Sequence, residues 1–461
     1  MQNTVNTALD HFKRHRDGYL NDLKELVRIP SISFPGFDPG PVRKSAEKVA
    51  ALLGSYGIPD VRILETGAGH PAVYAAWTEA LDKPTILLYG HHDVQPTGRE
   101  ELWQSPPFEP IERDGRLFGR GVSDDKGGVM MMAAAVASYL KTAGRLPMNV
   151  KFLIEGEEEI GSAGLPLLLE QHRALLTADI ALIADSENFA GGVPTLTSSL
   201  RGIVTVNVEV RSLSSSVHSG TRGGPLPDPV LALAKMLASL VDEEGCPAVA
   251  GLTDRVRPMT PREQESTARL PYDEKEYRKQ SRLLNGVRIV GGGASVYEKM
   301  WRLPSISVNA IEASSRKQAA NIINDTAWAR VGVRTVPDMD PQETLDLLRK
   351  HLLDHAPWGV KVTVVPETPS PWWRTETEGR AFDAALAALE KGYGIKPAIV
   401  GAGGSIPFVR TITEALGGAP ALLFGVGDPL SAAHSENESL LLADWESACK
   451  SMIHLLALLA E

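Results

Sequence analysis

Cysteine is nearly missing from this chain: Cys246 and Cys449 are the only two among 461 residues. Two thiols build no disulfide framework, so the expectation is a protein of a reducing compartment, the cytoplasm. Positive charge is short as well. Asp and Glu total 57 against 47 Lys and Arg, a net charge of −10. That balance argues against nucleic acid or an anionic membrane as partner, because both are bound through basic patches. No unbroken apolar run approaches the about 20 residues of a membrane span. Residues 1–16 are polar and charged and lack the apolar core of a targeting segment. Internal repeats and low-complexity tracts are missing too, which sets solenoids and disordered linkers aside. What remains is ordinary. Apolar residues make up 43% of the chain, enough for a large core, in a length that holds two or three domains.

The stretch from Pro84 to Pro96 organises the rest. Residues 85–89 form a short apolar run, partly β-branched and left through Gly90, which predicts a buried strand. His91, His92 and Asp93 follow. Side chains alternate along an extended chain, so His91 and Asp93 point one way and His92 the other. A carboxylate beside an imidazole is the usual means of fixing the tautomer of a metal-binding histidine. Alone, such a triplet is more often a polar loop than a site.

Helical spacing over 5–28, 41–54 and 129–140 alternates with apolar runs at 71–77, 85–89, 149–154 and 180–184. The alternation predicts a doubly wound α/β sheet, in which chemistry gathers beyond the carboxyl ends of the strands. From about residue 199 the pattern changes. Residues 204–211 and 327–334 alternate apolar with polar side chains, the mark of half-exposed strands, and helices are expected over 228–241 and 341–355. Residues 199–380 thus read as an inserted α+β domain, between halves of a first domain at 1–198 and 381–461. The charged stretch 253–282 reads as solvated helices and loops of the insertion. After residue 381 come a helix, the Gly401-Ala-Gly-Gly-Ser-Ile-Pro407 loop, a strand at 420–425, Ala433-His434-Ser-Glu-Asn-Glu438 and a final amphipathic helix.

The groups at strand ends are His91, Asp93, Asp124, Glu158, Glu159, Asp185 and His434. Five ligands hold two divalent ions if one carboxylate bridges them. Carboxylate and imidazole without thiolate suit Zn²⁺, with Mn²⁺ or Co²⁺ as substitutes. Two ions about 3.5–4 Å apart activate a shared water and polarise a carbonyl, and a free carboxylate beside them can serve as general base.

In order, His91-x-Asp93, Gly119-Arg-Gly-x-x-Asp124-x-Lys126-Gly127, Glu158-Glu159-x-Gly161-Ser162, Asp185 and Ala433-His434 resemble the motifs of the two-metal metallopeptidases of the aminoacylase, carboxypeptidase G and carnosinase group. The likeness covers nearly the whole chain, and Gly-His-His-Asp-Val-Gln-Pro, Asp-Asp-Lys-Gly and Gly-Gly-Ser-Ile-Pro look most like its dipeptidase branch. The resemblance implies a mixed-sheet α/β catalytic domain carrying an inserted α+β dimerisation, or lid, domain. It implies a cytoplasmic homodimer joined through the insertion, two divalent ions per subunit and a small peptide substrate. By the same likeness Asp124 bridges the ions, Glu159 and His434 complete one position, and His91 and Asp185 the other. Asp93 orients His91, and Glu158 carries a proton from water to the leaving amine. His218, in Val217-His218-Ser219-Gly220, would reach a neighbouring subunit's active site. Arg334, with the backbone of Gly404 and Ser405, would bind the substrate carboxylate. A cis peptide between Asp124 and Asp125 is a further implication.

The chain departs from the family at two places: Ile323-Asn324 stands for Ile-Pro, and Asn321 takes the place of a threonine that touches substrate. Plainer readings stand beside several of these residues. His92 reads as a core or second-layer histidine, Asp125 as a rival bridge, Glu155 and Glu157 as loop solvation, and Met130 to Met132 as core. His218 by default is a surface histidine, Arg334 a partner for a sheet-face carboxylate, and residues 401–404 a tight turn. Two rival functions are a deacylase acting on N-acyl amino acids and a catalytically silent metal-binding scaffold.

Overall fold

The computed structural model describes every residue except Met1, Thr66, Ala68 and Ser405, and every side chain among these except those of Gln318 and Pro407. The chain divides into two compact units, one of residues 1–198, 375–400 and 408–461, the other of 199–374 with 401–407. Residues 375–380 thus lie with the first unit, and the loop from Gly401 to Pro407 with the second.

In the first unit the strands run across the sheet in the order Asp60–Leu64, Ala72–Trp77, Asn149–Glu155, Thr85–His91, Ile180–Ile183, Ala421–Leu423 and Thr195–Leu200. The four from Asn149–Glu155 to Ala421–Leu423 are parallel, while the flanking pairs are antiparallel. Only the centre therefore has the parallel arrangement of a doubly wound sheet. These central strands are buried along almost their whole length, which is why they appear in the sequence as unbroken apolar runs. Register pairs His91 with Glu155 and Tyr89 with Ile183. The carboxyl ends thus lie level, and Asp185 follows two residues after Ile183.

The helix Lys126–Ala143 is buried on nearly every face from Gly127 to Tyr139, the signature of a core helix. It packs against the helices Gln2–Val27 and Leu442–Ala460, with Met130, Met131 and Met132 inside the apolar core. Gly144, at φ 65°, ends it by donating its N–H to the Leu140 carbonyl at 3.0 Å. Gly128 keeps the start of this helix close to the strand ends: a Cβ there would run into Asp125 Oδ1 and lie 2.9 Å from the Ala184 Cβ. Among the described residues, no helix is long and apolar enough to cross a membrane.

The second unit holds an antiparallel sheet in the order Ser305–Glu312, Thr326–Thr335, Gly202–Arg211, Lys361–Pro366. One face, with Val204, Val206, Val208, Val210, Ala327, Ala329, Val331 and Val333, is buried in one cluster with residues of the helices Pro229–Ala238 and Pro341–Asp354. The other face bears Asn207, Glu209 and Arg330, as the alternation predicts. Ser305–Glu312 is the sheet's edge, with Val308 41% and Ile311 60% exposed. The charged stretch 253–282 forms the short helices Pro261–Ala268 and Glu274–Gln280 and is largely exposed. Glu263 is an exception, buried 3.3 Å from Arg302 Nη1.

The helices Arg380–Tyr393 and Leu442–Ala460 pack tightly at Gly392, where a Cβ would run into Ser451 Oγ and lie 2.5 Å from the Ser447 carbonyl oxygen and 2.7 Å from the Ser451 amide nitrogen. The Ser451 hydroxyl could turn aside, but the other two obstacles are backbone, so the helices must part to admit a methyl group. Gly392→Ala is expected to cost about 1–3 kcal/mol of unfolding free energy, read by chemical denaturation. An unchanged midpoint would mean that this contact is not tight.

Candidate metal centre

His91 ends the strand Thr85–His91 with its ring fully buried. Its Nδ1 lies 3.1 Å from the main-chain oxygen of Asp93 and 3.4 Å from that residue's Oδ1. A carbonyl oxygen only accepts, so Nδ1 carries a proton and Nε2 is left to face the site. Nε2 stands 3.0 Å from Asp124 Oδ1. Asp93 does more than orient this ring. Its Oδ2 accepts the Ser33 hydroxyl at 2.7 Å and the Glu159 amide at 3.1 Å, and its Oδ1 accepts the Glu158 amide at 3.3 Å. The carboxylate thus ties the His91 loop to the turn Glu158–Ile160 that follows the neighbouring strand.

His92 points away, as alternation requires. It is buried and donates from Nε2 to the Pro71 carbonyl at 2.9 Å. Burial pulls its pKa down to about 4, so it stays neutral as a structural residue.

Asp124 lies on the loop before the helix Lys126–Ala143, and the peptide joining it to Asp125 is cis, as the resemblance implies. Its second oxygen, Oδ2, is 2.9 Å from His434 Nε2. The same nitrogen is 3.2 Å from Glu159 Oε2. Glu159 is fixed further by Gln95, whose amide meets Oε1 at 3.2 Å and whose side chain donates to Oε2 at 2.7 Å. Ligand atoms of His91, Asp124 and Glu159 all lie within 4.8 Å of one another, as do those of His91, Glu158 and Asp185. Asp125, the rival bridge, is turned to the backbone: its Oδ2 accepts the His91 amide at 3.3 Å.

The charge balance is one-sided. Burial pushes the Glu158 carboxyl well up, the Glu159 carboxyl up and Asp185 up to about 7, and the Asp124 charge adds to the rise in the last two. Burial opposes ionisation of Asp124 as well, but His434 and His91 hold its pKa below the usual carboxylate range. The bonds from His434 to Asp124 and Glu159 raise that imidazole to about 11. Burial would lower His91, yet Asp124 and Asp93 lift it well above its ordinary value. Four carboxyl groups crowded around two imidazoles are what divalent cations stabilise. The donor set fits such ions. Two ligands bonded to one ion at about 2.0–2.2 Å in tetrahedral geometry stand about 3.3–3.6 Å apart, close to the 2.9–3.2 Å separations from Asp124 and His434.

Two expectations need correcting. Glu155 and Glu157, read as solvating a loop, are only 2% and 5% exposed. Glu155 accepts the Tyr89 hydroxyl and the Ser162 hydroxyl, the latter at 2.6 Å, and burial raises it to about 7. Glu157 accepts the amides of His70, at 3.1 Å, and Gly164. They shape the turn that presents Glu158 and Glu159. An acidic run resembles a wet loop in sequence; its partners, up to 87 residues away, decide otherwise. Gln95 and Ser33 were missed, since neither residue type marks a site by itself.

In the second unit His218 and Asn321 come together. The strands Val217–His218 and Ile322–Ile323 pair, and the Ser219 amide donates to the Asn321 carbonyl at 2.9 Å. His218 is exposed, and its Nδ1 accepts the Gly220 amide at 3.0 Å. That bond leaves Nε2 to carry the proton. Arg334 lies near the end of Thr326–Thr335, opposite Ile203 and Ser305. Arg330, on the same face, is held by Glu367 at 2.6 Å. Gly404 is exposed with open space where a Cβ would stand, and Ser405 lies outside the described residues.

Imidazoles and carboxylates gathered beyond parallel strand ends make a candidate centre for divalent metal ions. The chain belongs to the peptidase family M20/M25/M40, whose model matches residues 87–458. A cysteinylglycine-S-conjugate dipeptidase from Corynebacterium striatum is 34% identical over 438 residues, 92% of this chain and 92% of that protein. A beta-Ala-His dipeptidase from Rattus norvegicus is 29% identical, across 95% of this chain and 92% of its own length. The solved structure of the di-peptidase Dug1p from Saccharomyces cerevisiae superposes with a TM-score of 0.78 at 26% identity, covering 100% of this chain and 99% of that one.

Proposed function

We propose that this chain is a dipeptidase that hydrolyses its substrate's peptide bond with two divalent ions. One observation carries the reading: the two oxygens of Asp124 are met by two different histidines, His91 at 3.0 Å and His434 at 2.9 Å. A carboxylate engaged on both oxygens is what a ligand shared between two ions requires. Asp124 would then be shared by the two ions, Glu159 and His434 would complete one position, and His91 and Asp185 the other. Zinc suits this set best, and manganese and cobalt fit it too. When bound, the two ions supply the positive charge that acidifies a water and polarises the substrate carbonyl.

Adjacent glutamates divide the remaining work. Gln95 and His434 hold the Glu159 carboxylate in place, as a ligand needs. The Glu158 carboxylate takes part in none of those bonds, which leaves it to handle a proton, and burial raises its pKa. Glu158 accepts a proton from water as the water oxygen bonds to the carbonyl carbon. It returns that proton to the amide nitrogen as the C–N bond breaks. The names of the Corynebacterium, rat and yeast relatives support a dipeptide as substrate. Two free cysteines suit the cytoplasm.

In the same reading Arg334 and the Gly404–Ser405 backbone bind the substrate carboxylate, and Asn321 shapes side-chain preference. His218 offers an Nε2–H to the developing oxyanion of a neighbouring subunit. The exposed edge strand Ser305–Glu312, with Val308 and Ile311 uncovered, supports a homodimer formed through the second unit, since such an edge calls for a partner.

Glu158→Gln should retain bound metal while kcat falls by about 10²–10⁴-fold, whereas Glu159→Gln should lose metal as well. Elemental analysis of the purified variants alongside dipeptide turnover decides it, and equal metal loss in both would reverse the assignment. For the dimer, inactive His218→Ala and Glu158→Gln proteins should regain activity when mixed, because one site of a mixed dimer has an intact base and a partner's intact histidine. If exchange of subunits is demonstrated and no activity returns, His218 does not work across an interface.

A further inference from the structure

Glu438 lies four residues after His434, and its side chain is completely buried. The loop that carries Asp124 wraps around it. Oε2 accepts Arg120 Nη1 at 2.8 Å and the Gly121 amide at 2.9 Å. Oε1 accepts the Ser123 amide at 3.0 Å, the Ser123 hydroxyl at 3.1 Å and the Asp124 amide at 3.2 Å. The Gly119 amide adds a bond to the main-chain oxygen of Glu438 at 3.0 Å. Three amides of one loop, those of Gly121, Ser123 and Asp124, turned onto one carboxylate make an anion-binding concavity, here filled by the protein's own side chain. Arg120, 1% exposed, reaches onward to the Pro96 carbonyl at 2.9 Å. Pro96 directly follows Gln95, the residue that holds Glu159.

A buried ion pair is weak evidence for stability, because desolvation offsets most of its attraction. Its geometry explains more. The loop of His434, the loop of Asp124 and the loop after His91 come from three separate parts of the chain, and each touches this pair. The geometry points to Glu438 as a positioning residue of the metal centre: with Arg120 it locks the Asp124 backbone to the His434 loop, so that the 2.9 Å approach of His434 Nε2 to Asp124 Oδ2 is set before any ion arrives. This rests on the metal reading above. Preset ligands bind metal more tightly, and removing the groups that orient them commonly weakens affinity 10–100-fold.

The test is calorimetric titration of chelator-stripped protein with Mn²⁺. Wild type should take up two ions per chain, and Glu438→Gln should bind the weaker of them 10–100-fold less tightly, because the carboxamide turns an N–H toward the donors of Arg120 and Gly121. Ser123→Ala leaves the ion pair whole and should lose affinity about threefold to tenfold; it decides the matter if Glu438→Gln does not fold. Gly392→Ala, destabilised at a helix contact with Ser447 and Ser451 that includes none of the ligands, should bind Mn²⁺ as wild type does. The proposal is overturned if Ser123→Ala, or a folded Glu438→Gln, binds within twofold of wild type. It is overturned equally if Gly392→Ala loses as much affinity as they do, since the loss would then follow stability alone. If wild type itself takes up no ion, the metal reading fails and this inference with it.

Discussion

Repulsion between buried carboxylates is the constraint on which the first unit is arranged. Asp124, Glu158, Glu159 and Asp185 are held where water screens them poorly, and burial with mutual repulsion drives Asp185 up to about 7. Left to themselves such groups would move apart or keep their protons. They stay together because each is anchored by something other than its neighbours. Parallel strands in register bring His91 and Asp185 to one edge. Asp93 fastens the Glu158–Glu159 turn to the His91 loop, and Gln95 fastens Glu159 itself. The arrangement is a framework for positive charge, as a candidate metal centre requires.

The two units divide the task by the chemistry of their surfaces. The first buries a large apolar core and spends its polar groups at the strand ends. The second covers one face of a four-stranded sheet with helices and leaves the other face and one edge to solvent. Its His218 is prepared in a small way, since the Gly220 amide fixes the tautomer that donates from Nε2.

Much of this was legible in the sequence because burial leaves periodic marks. The apolar run before His91, the continuous apolar helix after Asp125 and the alternating valines from 204 to 210 each pointed to the element found. The cluster of His91, Asp124, Glu159, Asp185 and His434 followed from strand ends together with ordered motifs. What escaped lies in loops. Glu155 and Glu157 looked solvated, and Gln95, Ser33 and Glu438 carried no signal, because a hydrogen bond between residues 60 or 315 positions apart imposes no repeat on either segment. Periodicity reports burial and not strand direction, so the mixed character of the sheet came from the resemblance and not from the apolar runs.

The account stands on a bridging carboxylate between two ions, and anomalous diffraction from crystals grown with Mn²⁺ tests that directly. The account predicts two anomalous peaks about 3.5–4 Å apart, one on each side of Asp124, the first against Glu159 and His434 and the second against His91 and Asp185. A single peak with Asp124 bound through one oxygen, or peaks away from Asp124 altogether, would contradict it.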